Sequence, residues 1–379
     1  MRFLFYFPII CERKVELSYS NLNSCGGFSG TETSVLELSK YLVDHNHSVS
    51  IVGGTRTSFV DHNINFISQH DFDFSTVASY NWYSPLFYLH DFMHHQILEH
   101  IDKDRTGVIV WLHIMTTNFD YIVDQGFRVF GVCVSDWVYR HTESRFPPGN
   151  LCVVYNGINK DIFPLRNMYF KQRGKWVFHA TYERGGQVAI RAFENVATKF
   201  PLAARSFDFM SYYTPDAGHW YPPNVTFRGS QSKQAVSAIL EESEYFVYPL
   251  VLPHGAVHHD TFGSVILEAI SMGVIVVTWK VACIPEVYKD YVIALDPPEG
   301  YPADAPFACD NWFNSEEAVC LLANAVISID QDTERKRIMR ERGIEWARNF
   351  AWENNGQKLE NFLILNYNNS VPDAHQSSE

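Results

Sequence analysis

Short apolar runs, FLFYFP, VSIVG, VIVWLH and VFGVCVS, punctuate the first half of this chain and alternate with amphipathic stretches. Apolar runs of this length, bounded by turn residues, predict buried strands. Between the first two lies TETSVLELSKYLVDH, where Ser34, Leu38, Tyr41 and Leu42 follow at helical spacing beside Val35. That spacing predicts a helix with Thr31 as its cap. The alternation restarts near Lys175: WVFHA predicts a strand, YERGG a turn and QVAIRAFENVATKF a helix. Alternating strands and helices imply a parallel doubly wound sheet, and the restart implies a second one. The break falls between Asn159 and Gly174, where Pro164 and the polar run RNMYFKQRG interrupt the pattern. Residues 55 to 105 are rich in aromatic residues and histidine without a clear period, and receive no assignment. The tail NNSVPDAHQSSE has the composition of a disordered end.

One segment stands out for its lack of charge. Between Asp260 and Lys280 the chain reads TFGSVILEAISMGVIVVTW, and Glu268 is its only ionisable side chain. The pattern predicts a helix opening at Thr261 or Phe262, a stop at Gly273 and a buried strand VIVVTW. A carboxylate on the packed face of that helix costs several kcal/mol unless something binds it. The helix start, with Asp260, Thr261 and Gly263, carries free backbone N–H groups and the positive end of the dipole, where phosphates bind. A carboxylate able to accept two hydroxyls below such a start suggests a nucleotide-sugar site. The alternative is a carboxylate paired with a base from elsewhere in the chain.

Bulk properties narrow the class. At 379 residues, two domains of ordinary size are the natural division. Hydrophobic residues make up 46% and charged residues 19%, a globular rather than disordered balance. The net charge of −13 argues against a nucleic-acid partner or a general affinity for anionic membranes. No apolar stretch is long enough to span a bilayer, and RFLFYFPII reads as a first strand rather than a signal segment. Seven cysteines without a CxxC pair suggest free thiols in a reducing compartment. The expected location is therefore the cytoplasm, free or peripheral at a membrane, and the sequons at Asn46, Asn224 and Asn368 are expected to be chance.

The segment DTFGSVILE, followed by AISMGVIVV and then IPEV, resembles the acid-x7-Glu signature of retaining GT-B glycosyltransferases, group 1 or family 4-like, which include sucrose synthases and bacterial mannosyl- and glucosyltransferases. The resemblance extends along the chain. GGFSGTETSVLELSKYLVDHNHSVSIVG is similar to the family's first Gly-rich turn and helix, VVYNGINKDIF to the start of its second domain, and NVTFRGSQSKQAVSAILEESEYFVYP to the elements before the acid motif. FAWENNGQKLENFL resembles its closing helix. These blocks occur in family order as far as about residue 365.

The resemblance implies an α/β GT-B fold, two doubly wound Rossmann-like domains facing across a cleft. The expected divisions are 1–165 for the acceptor domain, 166–345 for the nucleotide-sugar donor domain, and 346–379 for a closing helix that returns to the first domain, plus the tail. It also implies roles. Glu268 would accept ribose hydroxyls, and Asp260, shorter than the family's usual Glu, would grip the sugar. Phe262, Gly263 and Ser264 would offer backbone N–H groups, with Gly263 permitting close approach. Arg184 would bind the diphosphate, for which its planar fork is suited. Gly26 and Gly27, with Gly30, would form the first turn against donor and acceptor, and Glu32 would lie near the acceptor or stabilise a helix start. His113, after VIVWLH, would lie against the donor sugar. The family commonly has another Arg where HATYE supplies Ala180 or Thr181; Lys233 is a candidate for the substitute cation.

No metal and no cofactor are expected, the nucleotide diphosphate sugar being a substrate. His254, His258 and His259 lack the Cys or paired acids of a metal cluster. The activity implied is transfer of a sugar to a hydroxyl of a glycan, lipid or other acceptor, by front-face departure and attack through an oxocarbenium-like transition state. Two other readings remain: a nucleotide-sugar-binding protein without transferase activity, and an NAD-dependent oxidoreductase. The second is disfavoured because GGFSG is not the G-x-G-x-x-G fingerprint.

Overall fold

The computed structural model describes residues 1–7, 15–85, 92–115, 119–164, 171–211, 222–251, 260–304 and 311–368. The tail after Asn368 and the three histidines at 254, 258 and 259 lie outside them. The chain forms two compact units.

The first unit comprises Met1–Leu22, Thr31–Gly157 and Trp352–Glu379. Its strands are β1 Arg2–Tyr6, β2 Ser48–Val52, β3 Phe59–Asp61, β4 Ile64–Ile67, β5 Trp82–Pro85, β6 Gly107–Leu112, β7 Val129–Cys133 and β8 Leu151–Val153. They form one sheet in the order β3-β4-β2-β1-β5-β6-β7-β8. Every pairing is parallel except β3 with β4. RFLFYF thus supplies a central strand, flanked by β2 and β5.

Between and beside these strands run α1 Tyr19–Ser24, α2 Gly30–Asp44, α3 Phe92–Glu99, α4 Asp120–Asp124 and α5 Asp136–Thr142. Helix α2 buries Ser34, Val35, Leu38, Tyr41 and Leu42, the face that the spacing predicts. It begins at Gly30, so Thr31 lies inside the helix and is not its cap.

The region without a sequence assignment holds β3, β4, β5 and α3. β3 and β4 form an edge hairpin whose two turn residues, His62 and Asn63, have φ of 50° and 61°. Two left-handed residues at a two-residue turn match the right-handed twist of the strands. Strands of three and four residues, half exposed on an edge, are too short to show a period.

The second unit comprises Asn23–Gly30 and Ile158–Ala351. Its strands β9 Lys175–His179, β10 Ser206–Met210, β11 Val225–Phe227, β12 Tyr245–Tyr248, β13 Ile275–Trp279 and β14 Ile293–Leu295 pair in the order β11-β10-β9-β12-β13-β14. All five pairings are parallel. The helices are α6 Gly186–Lys199, α7 Lys233–Glu242, α8 Ser264–Ser271, α9 Ile284–Val287, α10 Glu316–Gln331 and α11 Thr333–Ala347, and α12 Trp352–Asn368 then belongs to the first unit.

Aromatic side chains dominate the second core. Phe178 stacks on Phe209 at 4.6 Å, and Trp176 meets Phe193 of α6 edge-on at 5.3 Å. Phe193 is fully buried, and truncation of such a ring to Ala costs about 3–5 kcal/mol. At the amino end of β12, buried Glu244 accepts from the Gly174 backbone N–H at 2.6 Å, Lys336 at 2.8 Å and Arg340 at 3.0 Å. Lys336 also reaches Asp330 at 3.0 Å.

Candidate functional site

The strand order of the second unit reverses between β9 and β12. Open α/β sheets take ligands at the carboxyl ends of their strands beside such a switch point. His179 ends β9 there and Tyr248 ends β12. A 3-10 turn, Tyr182–Arg184, follows β9 and brings Arg184 over the same edge. Gly185 and Gly263, with φ of 97° and 77°, precede α6 and α8 in a left-handed conformation that glycine adopts without a steric penalty.

Arg184, Tyr248 and Asp260 are mutually hydrogen-bonded. Arg184 Nη1 donates to Asp260 Oδ1 at 2.5 Å and to the Tyr248 hydroxyl at 3.2 Å. Tyr248 in turn donates to Asp260 Oδ2 at 2.9 Å. Burial works against the Arg184 charge, but Asp260 and Tyr248 outweigh it and raise the pKa, so the guanidinium stays charged. Burial first, then the Asp260 charge, raises the Tyr248 phenol far above its usual range. Tyr248 is a member of this group that the motif reading missed; its signal in the sequence is its place at the end of the buried run YFVY.

Helix α8 starts at Ser264, later than the expected Thr261 or Phe262, because Gly263 is held left-handed and turns the chain outside the helix. The Gly263 carbonyl accepts from the Tyr288 hydroxyl at 2.7 Å, just after α9, the IPEV segment. Phe262 is buried with its ring 6.1 Å from Tyr288 and 6.2 Å from Phe350. Its side chain therefore serves packing.

Glu268 lies in the second turn of α8, buried, with Lys233 Nζ donating to its Oε1. The acid thus has a protein base. No local pattern marks the pair, since Lys233 stands 35 residues away at the start of α7. The ammonium satisfies one carboxylate oxygen and is committed to it. The other oxygen, Oε2, faces His179 Nδ1 at 3.7 Å.

Gly26 and Gly27 belong to Asn23–Gly30, which packs with the second unit. A Cβ on Gly26 would meet the Ser230 carbonyl oxygen at 2.7 Å, so this approach requires glycine. Gly30 opens α2, and Glu32 in its first turn is buried. His113 lies in the first unit, directly after β6, with its ring 4.5 Å from that of Trp111. Burial pushes its pKa down to about 3, so the imidazole is neutral at ordinary pH. Among the described residues, no group of three or more His, Cys, Asp and Glu is placed to hold a metal. No described helix is long and apolar enough to cross a membrane.

Residues 177–302 match the family model for glycosyl transferases group 1. That segment contains His179, Arg184, Lys233, Tyr248, Asp260 and Glu268. Among solved structures, the chain is similar to sucrose-phosphate synthase from Thermosynechococcus elongatus, with 11% identity, 97% of this chain and 99% of that one covered, and a TM-score of 0.67. It is similar to a glycosyltransferase from Rickettsia africae at 12% identity, 98% and 99% coverage and a TM-score of 0.67. HepE of Anabaena, solved with UDP and glucose, matches at 13% identity, 96% and 100% coverage and a TM-score of 0.63. The fold is GT-B. At such identities the likeness establishes the GT-B fold alone, while the group 1 match supports glycosyl transfer as the general chemistry. A comparison with curated proteins finds no match.

Proposed function

We propose that this protein is a retaining glycosyltransferase that moves a sugar from a nucleotide diphosphate donor to a hydroxyl of a glycan, lipid or other acceptor, without a metal. The observation that carries this reading is the convergence of Arg184, Asp260 and Glu268 on the carboxyl edge of β9 and β12 within the segment that matches the group 1 model. In this reading the second unit binds the donor and the first receives the acceptor. Glu268 accepts ribose hydroxyls, Asp260 grips the sugar, and the start of α8 with Ser264 offers N–H groups to phosphate.

Charge grows on the leaving diphosphate as the glycosidic bond breaks. Arg184, kept cationic, stabilises that charge before any rearrangement is needed, which is preorganised electrostatic catalysis. The acceptor hydroxyl passes its proton to the departing phosphate as the new bond forms on the same face. UDP in the Anabaena HepE structure makes a uridine nucleotide the first donor to try. The five described cysteines are all free, which supports a reducing compartment such as the cytoplasm.

The test is a panel of nucleotide sugars offered with mixed glycan and lipid acceptors, reading glycosylated product and its anomeric configuration. Product with the donor's configuration supports the reading, and inversion overturns it. A nucleotide-sugar-binding protein without transfer is the second reading, favoured by the saturation of Asp260 by Arg184 and Tyr248. It predicts donor binding by calorimetry with no product.

A further inference from the structure

His179 closes β9 at the ligand-binding edge, and the group formed by Arg184, Tyr248 and Asp260 makes no use of it. Its Nδ1 stands 3.7 Å from Glu268 Oε2, too far for a hydrogen bond. Neither atom has a hydrogen-bond partner among the described residues, although both are buried from solvent. Buried polar atoms are ordinarily satisfied, so two that face each other unsatisfied mark a place for a third group.

The chemistry of that group is constrained. Lys233 already balances the Glu268 charge, and the second carboxylate oxygen can only accept. Burial, then the nearby Lys233 charge, holds the His179 pKa down to about 3, so its ring is neutral and Nδ1 can donate in one tautomer. A second cation is not called for, and an anion would face the carboxylate. A hydroxyl completes both atoms: it donates its single hydrogen to Oε2 and accepts from Nδ1–H. An oxygen about 2.8 Å from each atom fits across the separation.

We propose that His179 is a specificity-determining residue of the donor site, holding one ribose hydroxyl of the nucleotide jointly with Glu268. This inference rests on the donor reading above. It assigns the preference for a ribonucleotide to two side chains, one from the end of β9 and one from α8.

The test is calorimetry on the full chain with uridine, adenosine, guanosine and cytidine diphosphates, followed by the 2′-deoxy and 3′-deoxy forms of the tightest binder. The wild type is expected to bind the ribonucleotide about tenfold or more tighter than at least one deoxy form. His179→Ala is expected to weaken the ribonucleotide about tenfold and to lose the discrimination against that deoxy form. His179→Asn, whose amide N–H stands close to the position of Nδ1, should keep most of both. Thermal unfolding without nucleotide shows that each variant folds; should His179→Ala not fold, His179→Leu carries the same comparison. A merely structural role would change the melting temperature and leave the ribose-to-deoxyribose ratio untouched. Undiminished discrimination in a folded His179→Ala, with Glu268→Gln weakened, overturns this inference and leaves the donor reading standing. A wild type that does not discriminate overturns it as well. Failure of the wild type to bind any of the four diphosphates overturns the donor reading and this inference with it.

Discussion

Asp260 holds Arg184 by one carboxylate oxygen at 2.5 Å and the Tyr248 hydroxyl by the other at 2.9 Å. The residue assigned to the sugar and the residue assigned to the phosphates are thus partners of each other, and a substitution at either changes the electrostatics of both. Arg184→Ala should weaken a nucleoside diphosphate and lower turnover together, because it removes a cation from a leaving group whose charge grows in the transition state. It should also destabilise the fold by about 1–3 kcal/mol, since buried Asp260 loses its ion pair with Arg184, while a third of the Arg184 side chain was already exposed.

Asp260→Asn should do the opposite to the diphosphate. With the carboxylate gone, the Arg184 guanidinium, which stays protonated in proteins, no longer has a neighbouring anion competing with phosphate, so diphosphate affinity is retained or rises while transfer from the complete donor falls. Calorimetry with the diphosphate and product formation with the full donor measure the contrast. Equal loss of diphosphate affinity in both variants would sink the division of labour.

Glu268→Gln should leave folding measurable and weaken nucleotide binding by about 1.5–3 kcal/mol, the contribution of a charge-assisted hydrogen bond. Lys233→Met is a second route to the same acid, since it leaves Glu268 without its cation. A double-mutant cycle of the two on thermal stability should show strong coupling, because each single change strands a buried charge and the double change strands none. Additive effects would contradict the pairing.

Two neutral histidines set a pH dependence. His113 and His179 both have folded pKa values near 3 against an ordinary value of 6.5. Between those limits the unfolded chain binds the protons and the folded chain does not. Their contribution is therefore fully present above about pH 6.5 and is lost as pH falls toward 3, by up to ~1.4 kcal/mol per pH unit for each ring. His113→Asn and His179→Asn should each lose less melting temperature between pH 7.5 and pH 5 than the wild type. A loss as steep as the wild type's in either variant would remove that ring from the account.

Gly263→Ala should cost about 1–2 kcal/mol, the penalty for a side chain at φ of 77°. Its Cβ would also stand 3.2 Å from Ile266 Cδ1 and 3.6 Å from Asp260 Oδ2. Transfer should therefore fall by more than stability alone explains, as read from rates at a temperature where the variant remains folded.

Activity should survive a chelator, because Arg184 and the start of α8 are assigned to the diphosphate. A rate that collapses with chelator and returns with magnesium or manganese would overturn the metal-free mechanism.

Glu268 was legible because it is the only charge in an uncharged run, and the strands of the second unit because buried parallel strands read as apolar runs. Lys233 was visible as a base but not as the partner of Glu268, since a contact across 35 residues depends on where α7 lands. Tyr248 and His179 were hidden for a related reason: each is an ordinary last residue of a strand, and strand order alone makes the two neighbours. The late start of α8 came from a glycine whose composition fits a helix start as well as the turn before one. The hairpin of β3 and β4 was too short for its pattern to rise above its aromatic surroundings.

Strand β12 is four residues long, about 13 Å from end to end. At one end Glu244 gathers Lys336, Arg340 and the Gly174 amide; at the other Tyr248 joins Arg184 and Asp260. The buried tyrosine and phenylalanine between them separate two clusters of charge with opposite duties, one tying helices to the sheet and one facing the ligand edge. Changes at Glu244, Lys336 and Arg340 can therefore alter the endurance of this unit without touching the contacts of Tyr248, an arrangement in which durability and whatever the far edge binds are free to evolve at separate rates.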